Sequence, residues 1–258
     1  MKSTLDKIPA LIIARGGSKR LPRKNVLPFC ELPLVAWTII QANCSHHIDE
    51  VYLSTDDEEI AEIGKKHGAV IIWRDGIAVG DIPAGPVIQH MTEHLLQYKE
   101  FERACVLIPT SPCKLPGDID RAIVEHLKID TGMGRVAAFY FPRETEVHER
   151  AYWRTDRNII YPTLFNKHGR YTQGTAILTV DFVEEILTRR KRFDIEDIYM
   201  ETIGRTGPTS VSGYVEIEWF QQYDIDYQDD FELCEILMER YILRGRGAEI
   251  YFEYEEEK

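Results

Sequence analysis

Five cations, Arg15, Lys19, Arg20, Arg23 and Lys24, crowd one short stretch of a 258-residue chain whose formal net charge is −12. Gly16, Gly17 and Ser18 are interleaved with them. Glycines let backbone amides approach phosphate oxygens with no Cβ in the way, and successive N–H groups form a concavity that suits an anion. Ser18 adds a neutral donor, while Arg15 and Lys24 can neutralise a triphosphate, the arginine with a bidentate grip. The stretch is neither a Walker A loop nor a GxGxxG dinucleotide fingerprint, and a solvated basic turn is the alternative reading. Far along the chain, Asp224 and Asp226 stand two apart. In an extended backbone such side chains share one side, so both carboxylates can face one cation. Magnesium prefers oxygen ligands and keeps water and phosphate oxygens in its shell. Read alone, the two acids fit a surface turn or the approach to a helix cap better.

The surrounding pattern says what must position these groups. Ile8–Ala14 is a short apolar run that reads as a buried strand ending at the cationic loop. Leu34–Cys44 reads as a helix entered through Pro33, and Glu50–Thr55 as a second strand. Asp57–His67 has Asp56 or Asp57 as its cap, acids in the first turn and cations in the last, and Gly68 to close it. Strand Ala69–Trp73, a helix near Gly85–Tyr98, strand Ala104–Ile108, a helix from about Asp118 and strand Val136–Phe141 follow. Thr175–Val180 is a later strand, Asp229–Leu243 the final long helix, and Glu253–Lys258 a solvated acidic end. Strands alternating with helices predict a mostly parallel sheet in a three-layer α/β/α, Rossmann-like arrangement within one domain, 1–258. A ligand belongs at the carboxyl ends of such strands. Residues 142–171, polar with several aromatics, read as an insertion, a hairpin or a dimerisation arm.

Composition excludes several classes. No apolar run approaches the ~18 to 20 residues of a membrane span, and the first residues lack the apolar core of a secretion signal. The cysteines, Cys30, Cys44, Cys105, Cys113 and Cys234, form no CxxC pair and no zinc spacing. A reduced, cytoplasmic protein is expected. The acidic balance argues against nucleic acid as a partner, and a concentrated cationic loop on an acidic chain points to a small polyanion.

Four segments together resemble a known family. Ala14–Asn25, with SKRLPRKN inside it and PLVAWTI after it, is similar to the N-terminal signature of the acylneuraminate cytidylyltransferases, its pseudaminic-acid branch in particular. Ser54–Ala61 resembles the second signature, Leu107–Pro112 the PTSP segment, and Asp224-Ile225-Asp226 the late DID motif. The order and spacing of the four are those of the family. The resemblance implies a nucleotide-diphospho-sugar transferase type of fold, CTP and an acidic sugar as substrates, Mg²⁺ held by Asp224 and Asp226, and a homodimer joined through 142–171. It implies a nucleotide site of Ala14, Arg15, Gly16, Gly17, Ser18, Lys24, Asn25, Arg74 and Thr110. Arg15, Lys24 and Asp226 carry the catalytic role, and Ser111, Gln173 and Gly174 approach the sugar. Asp81 is a weaker candidate.

The departures lie on the sugar side. Many relatives carry Gln before PTSP and Leu-Arg after it, where this chain has Ile108 and Cys113-Lys114. Ile108 lacks an amide's hydrogen-bonding groups, which counts against ordinary sialic acid. A catalytically silent CTP-binding homologue, or a nucleotidyltransferase for another acidic acceptor, is the alternative reading.

Overall fold

In the computed structural model the run Ile8–Ile13 forms strand β1 in the interior of a seven-stranded sheet. The structure describes residues 7–76, 81–82, 84–101, 103–127, 134–139, 153–156, 159–162, 171–179, 211–221 and 223–256, with the description of 134–139, 153–156, 159–162, 171–179 and 211–216 confined to the backbone. A two-residue ribbon, β2 (Pro28–Phe29) and β3 (Leu32–Pro33), follows the cationic loop. The sheet continues with β4 (Ile48–Thr55), β5 (Ala69–Trp73), β6 (Arg103–Leu107), β7 (Gly134–Phe139), β10 (Tyr171–Thr179) and β11 (Val211–Glu216), the separate hairpin of β8 (Trp153–Asp156) and β9 (Ile159–Pro162) lying between β7 and β10 in sequence. Strand order is β11-β7-β10-β6-β1-β4-β5. Pairing is parallel except around β10, which runs antiparallel to both β6 and β7.

Alternation along the strands sorts side chains to the two faces, as the two-residue period requires. Ala10, Ile12, Val51 and Leu53 pack with Val35 and Ile39 of α1 (Leu34–Asn43), Ile60 of α2 (Glu58–Lys66), and Ile119 and Ile123 of α4 (Asp118–Leu127). Leu11, Tyr52, Ile72 and Val106 face α3 (Ala84–Leu95) through Val87, Met91 and Leu95. The arrangement is the expected three-layer α/β/α fold with a mostly parallel sheet. Helix α1 is buried on every side from Leu34 to Ala42, because its second face, Leu34, Trp37 and Ile40, packs on the C-terminal helices. A helix apolar all round is what such double coverage requires.

Two expectations are corrected. The helix expected over Asp229–Leu243 is present but is not the last. Helix α5 (Gln228–Leu237) passes into a π-helical turn at Met238–Leu243, and α6 (Arg246–Glu256) follows. Glu253, expected within a solvated acidic end, is exposed on α6, and Tyr251 of the same helix is buried against Trp37 at 6.5 Å between ring centroids. Strand β10 begins at Tyr171 rather than Thr175, so it takes in Gln173 and Gly174. Most of 142–171 lies outside the described residues, as do Tyr140, Phe141 and Val180, the ends of two expected strands. Within 142–171 the described part is the backbone of the β8–β9 hairpin.

Helix α2 shows how local signals translate. Asp57 is its N-cap, accepting the Ile60 amide at 3.1 Å, and Gly68 takes the left-handed conformation, φ 88°, after its end. Asp57 also pairs with Arg23, and that guanidinium holds its carboxyl below the usual range. A carboxylate with a depressed folded pKa contributes stability that is full above its unfolded value and fades as pH falls through the folded one. Asp57→Asn, which keeps a capping oxygen, is expected to lower stability by about 1–2 kcal/mol at neutral pH. In urea melts across pH the gap from wild type should close below about pH 4; a gap independent of pH would mean the ion pair contributes nothing.

Candidate active site

Strands β1, β4, β5 and β6 are parallel, so their carboxyl ends share one edge and the segments after them meet there. The cationic loop follows β1, and it is sewn to the segment after β4. Ala14 N donates to Ser54 O at 3.0 Å, and Gly16 N donates to Asp56 Oδ1 at 2.9 Å. At Gly16 the approach is too close for any side chain: an added Cβ would collide with Asp57 Oδ2 and stand 2.8 Å from Asp57 Cβ. At Gly17 a Cβ would meet nothing within 4 Å, so that position faces open space. Asn25 reaches back across the loop, its Nδ2 donating to Arg15 O at 2.9 Å.

Each cation of the loop is met by a carboxylate from elsewhere in the chain. Arg15 and Lys19 pair with Asp81, and Arg23 with Asp57 and Glu59. Arg20 pairs with Asp226 and lies over the Tyr227 ring, 5.7 Å from its centroid. Lys24 is the buried one, 9% exposed. Its Nζ donates to Ile225 O and stands 3.9 Å from Asp226 Oδ1. Burial pushes the Lys24 pKa down, and the carboxylates of Asp224 and Asp226 work against that shift. Arg74, after β5, is likewise 9% exposed, with its pKa lowered by burial and supported by Asp56.

The PTSP segment after β6 carries the aspartate pair. Ile225 N donates to Thr110 O at 2.8 Å, which holds the segment against the sheet edge. Ser111 Oγ donates to Asp224 Oδ1 at 3.0 Å. The Asp226 and Tyr227 amides are received by Asp230 Oδ2 at 3.1 and 2.9 Å, fixing the entry to α5. The two aspartates thus have different neighbours, Asp224 on Ser111 and Asp226 on the loop cations, with Lys24 in the field of both.

Between these segments opens a cleft of about 400 Å³. Of the residues predicted from sequence it is lined by Arg15, Ser18, Lys24, Asn25, Arg74, Thr110 and Asp226, together with Asp81. Ala14 is buried in the core, while Gly16, Ser111 and Asp224 support the wall from behind through the contacts above. Gln173 and Gly174 belong to β10, where Thr175 pairs with Leu107, the last residue of β6. Their backbone therefore runs past the carboxyl end of β6, at the edge that holds the cleft. Lys19 and Arg20 line the cleft too, although sequence reasoning assigned them no individual role; the signal was their place in the cation cluster. One wall is apolar, with Ile13, Ile82, Val87 and Ile108. Among the described residues, two buried polar atoms beside the cleft find no partner, Asn25 Oδ1 and Arg74 Nε. One is an acceptor and the other a donor, which suits a ligand that carries both complements.

A glycine loop rich in cations at the carboxyl end of an interior parallel strand, with Asp226 across the cleft and Asp224 behind it, is an arrangement suited to a polyphosphate ligand. Comparison with known proteins agrees. The model of the cytidylyltransferase family matches residues 9–81. A CMP-N,N'-diacetyllegionaminic acid synthase of Legionella pneumophila is 29% identical over 242 residues, covering 90% of this chain and 97% of that one. A pseudaminic acid cytidylyltransferase of Campylobacter jejuni is 34% identical over 154 residues, 58% of this chain and 65% of that one. Among solved structures, CMP:2-keto-3-deoxy-manno-octonic acid synthetase complexed with CTP superposes with a TM-score of 0.67 at 17% identity, covering 91% of this chain and 99% of that chain. Over residues 9–81 the chain is similar to the cytidylyltransferase family, and along most of its length it is similar to a relative named for a CMP-linked nonulosonic acid.

The glycine pair gives a direct test of the loop. Gly16→Ala is expected to cost about 1–3 kcal/mol, since Asp57 must move and takes the α2 cap with it. Gly17→Ala should stay within about 0.5 kcal/mol of wild type. Thermal melts of the two variants decide; equal losses would mean that Gly16 is not held against Asp57.

Proposed function

We propose that the protein transfers CMP from CTP to an acidic nonulosonic sugar, yielding the CMP-sugar and pyrophosphate. One observation carries the reading: Arg15, Ser18 and Lys24 on the glycine loop share a single cleft with Asp226, Arg74 and Asn25. The triphosphate lies along the loop. The unpaired Asn25 Oδ1 and Arg74 Nε are the groups that meet the nucleoside. The anomeric hydroxyl of the sugar attacks the α-phosphorus in line; an oxygen–phosphorus bond forms, the bond to the β-phosphate bridge breaks, and pyrophosphate leaves as the hydroxyl proton is lost. Such chemistry depends mainly on positioning and on stabilising charge. Arg15 and Lys24 offset the charge that grows on the leaving group, and partial burial of Lys24 strengthens its pull by excluding water.

Magnesium is part of the same proposal. Among the described residues no three His, Cys, Asp or Glu side chains cluster to hold a metal. That suits an ion which takes one or two carboxylates and completes its shell with phosphate oxygens and water. Asp224 and Asp226 are the residues that would hold it, and when bound it supplies charge neutralisation and Lewis acidity at the phosphate. A homodimer joined through 142–171 and a cytoplasmic location, where CTP is made, follow from the same reading. No described helix is long and apolar enough to cross a membrane.

The acceptor is drawn from the class for which the relatives are named. Ile108 in the cleft wall offers no hydrogen bond, so a sugar that presents an apolar substituent there is favoured over ordinary sialic acid. Pyrophosphate release with CTP and Mg²⁺ should be measured across sialic, pseudaminic, legionaminic and Kdo-type sugars. Turnover is expected with pseudaminic or legionaminic acid, falling about 100-fold or more in Asp226→Ala. CTP binding without release from any of the four would overturn the reading.

A further inference from the structure

Lys114 is the most enclosed charged side chain near the cleft, 5% exposed, yet it does not line the cleft. Its Nζ donates to the carbonyl oxygen of Ser111. It is part of a pattern in which four successive carbonyls of the loop are each taken by a buried side chain. Lys114 holds Ser111 O, Gln41 Nε2 donates to Pro112 O at 2.7 Å, Gln221 Nε2 donates to Cys113 O at 3.0 Å, and the Tyr251 hydroxyl donates to Lys114 O at 3.1 Å. Three of these donors are neutral. Lys114 alone brings a charge, and enclosing an ammonium carries a desolvation cost that a methionine in its place would avoid.

The field around it shows what that charge does. Burial lowers the Lys114 pKa to about 8, while the cysteines 113 and 105 and then Asp118 and Asp224 oppose the shift. Asp118 already serves Leu115 N, Gln221 and Arg121. Among the described residues Asp224 takes one hydrogen bond, from Ser111 Oγ, and Ser111 is the residue whose carbonyl Lys114 grips. Fixing that carbonyl fixes the Ser111 backbone and so aims its hydroxyl. We propose that Lys114 is a positioning residue for the carboxylate of Asp224, acting through Ser111 and setting the affinity of the aspartate pair for its divalent cation. This rests on the reading that Asp224 and Asp226 hold that cation. Supporting groups of this kind change metal affinity about 10–100-fold when removed.

The test uses Mn²⁺ with CTP and no sugar, following free Mn²⁺ by electron paramagnetic resonance for wild type, Lys114→Met, Ser111→Ala, the double variant and Asp226→Ala. Lys114→Met is expected to weaken Mn²⁺ binding about tenfold, with CTP affinity without metal unchanged in the folded variant. Ser111→Ala should show a similar loss and the double variant no more than the larger single loss, because the two act in one chain. Lys114→Gln replaces the methionine variant if that one fails to fold. Wild-type Mn²⁺ affinity in the Lys114 variant, or fully additive losses, overturns the inference while a weakened Asp226→Ala leaves the metal site standing. Equal binding by wild type and Asp226→Ala overturns both.

Discussion

Five like charges within one short loop repel each other, and the site depends on how the fold answers that repulsion. It does so with carboxylates drawn from three other places, Asp57 and Glu59 at the start of α2, Asp81 before α3, and Asp226 before α5. Those pairs pull the segments after β4 and β5 and the segment before α5 around the loop and shape the cleft. Most of them are exposed and individually weak; their effect lies in convergence. Two of the acids, Asp81 and Asp226, line the cleft itself. A polyanionic ligand therefore competes with carboxylates for cations already aimed at it, and little rearrangement is needed to exchange one anion for another.

The second constraint is that the aspartate pair arrives from the far end of the chain. It reaches the loop because α1 is apolar on both faces and binds the C-terminal helices as firmly as it binds the sheet. Phe231, Leu237, Met238 and Tyr251 close over Trp37 and Ile40, and the Trp37 indole donates to Phe29 O at 2.6 Å. The same packing sets Gln41 and Tyr251 against the loop that carries Ser111. Core packing and site geometry are here one set of contacts.

Much of this was legible in the sequence because its causes are local. Strand β1 leading into a glycine loop, the Asp57 cap with Gly68 at the other end of α2, and the apolar face of α4 are each written in a few neighbouring residues. The cleft residues Arg15, Lys24, Asn25 and Asp226 were found by motif. What escaped depends on partners distant in sequence. The burial of Tyr251 against Trp37, far apart in sequence, left no local signal. Arg20 was one cation of five until Asp226 and Tyr227 gave it a place, and Lys114 looked like a departure from a motif until Ser111 gave it a partner. The reversal of β10 is a matter of topology, to which an apolar strand pattern is indifferent.

The central claim is that the buried Lys24, with the loop around it, holds the triphosphate of CTP. Calorimetric titration of CTP into wild type and Lys24→Met in the presence of Mg²⁺ tests it most directly. The account predicts tight binding to wild type and an affinity at least about tenfold lower in the variant. Equal affinities in two folded proteins would contradict it and move the phosphates elsewhere.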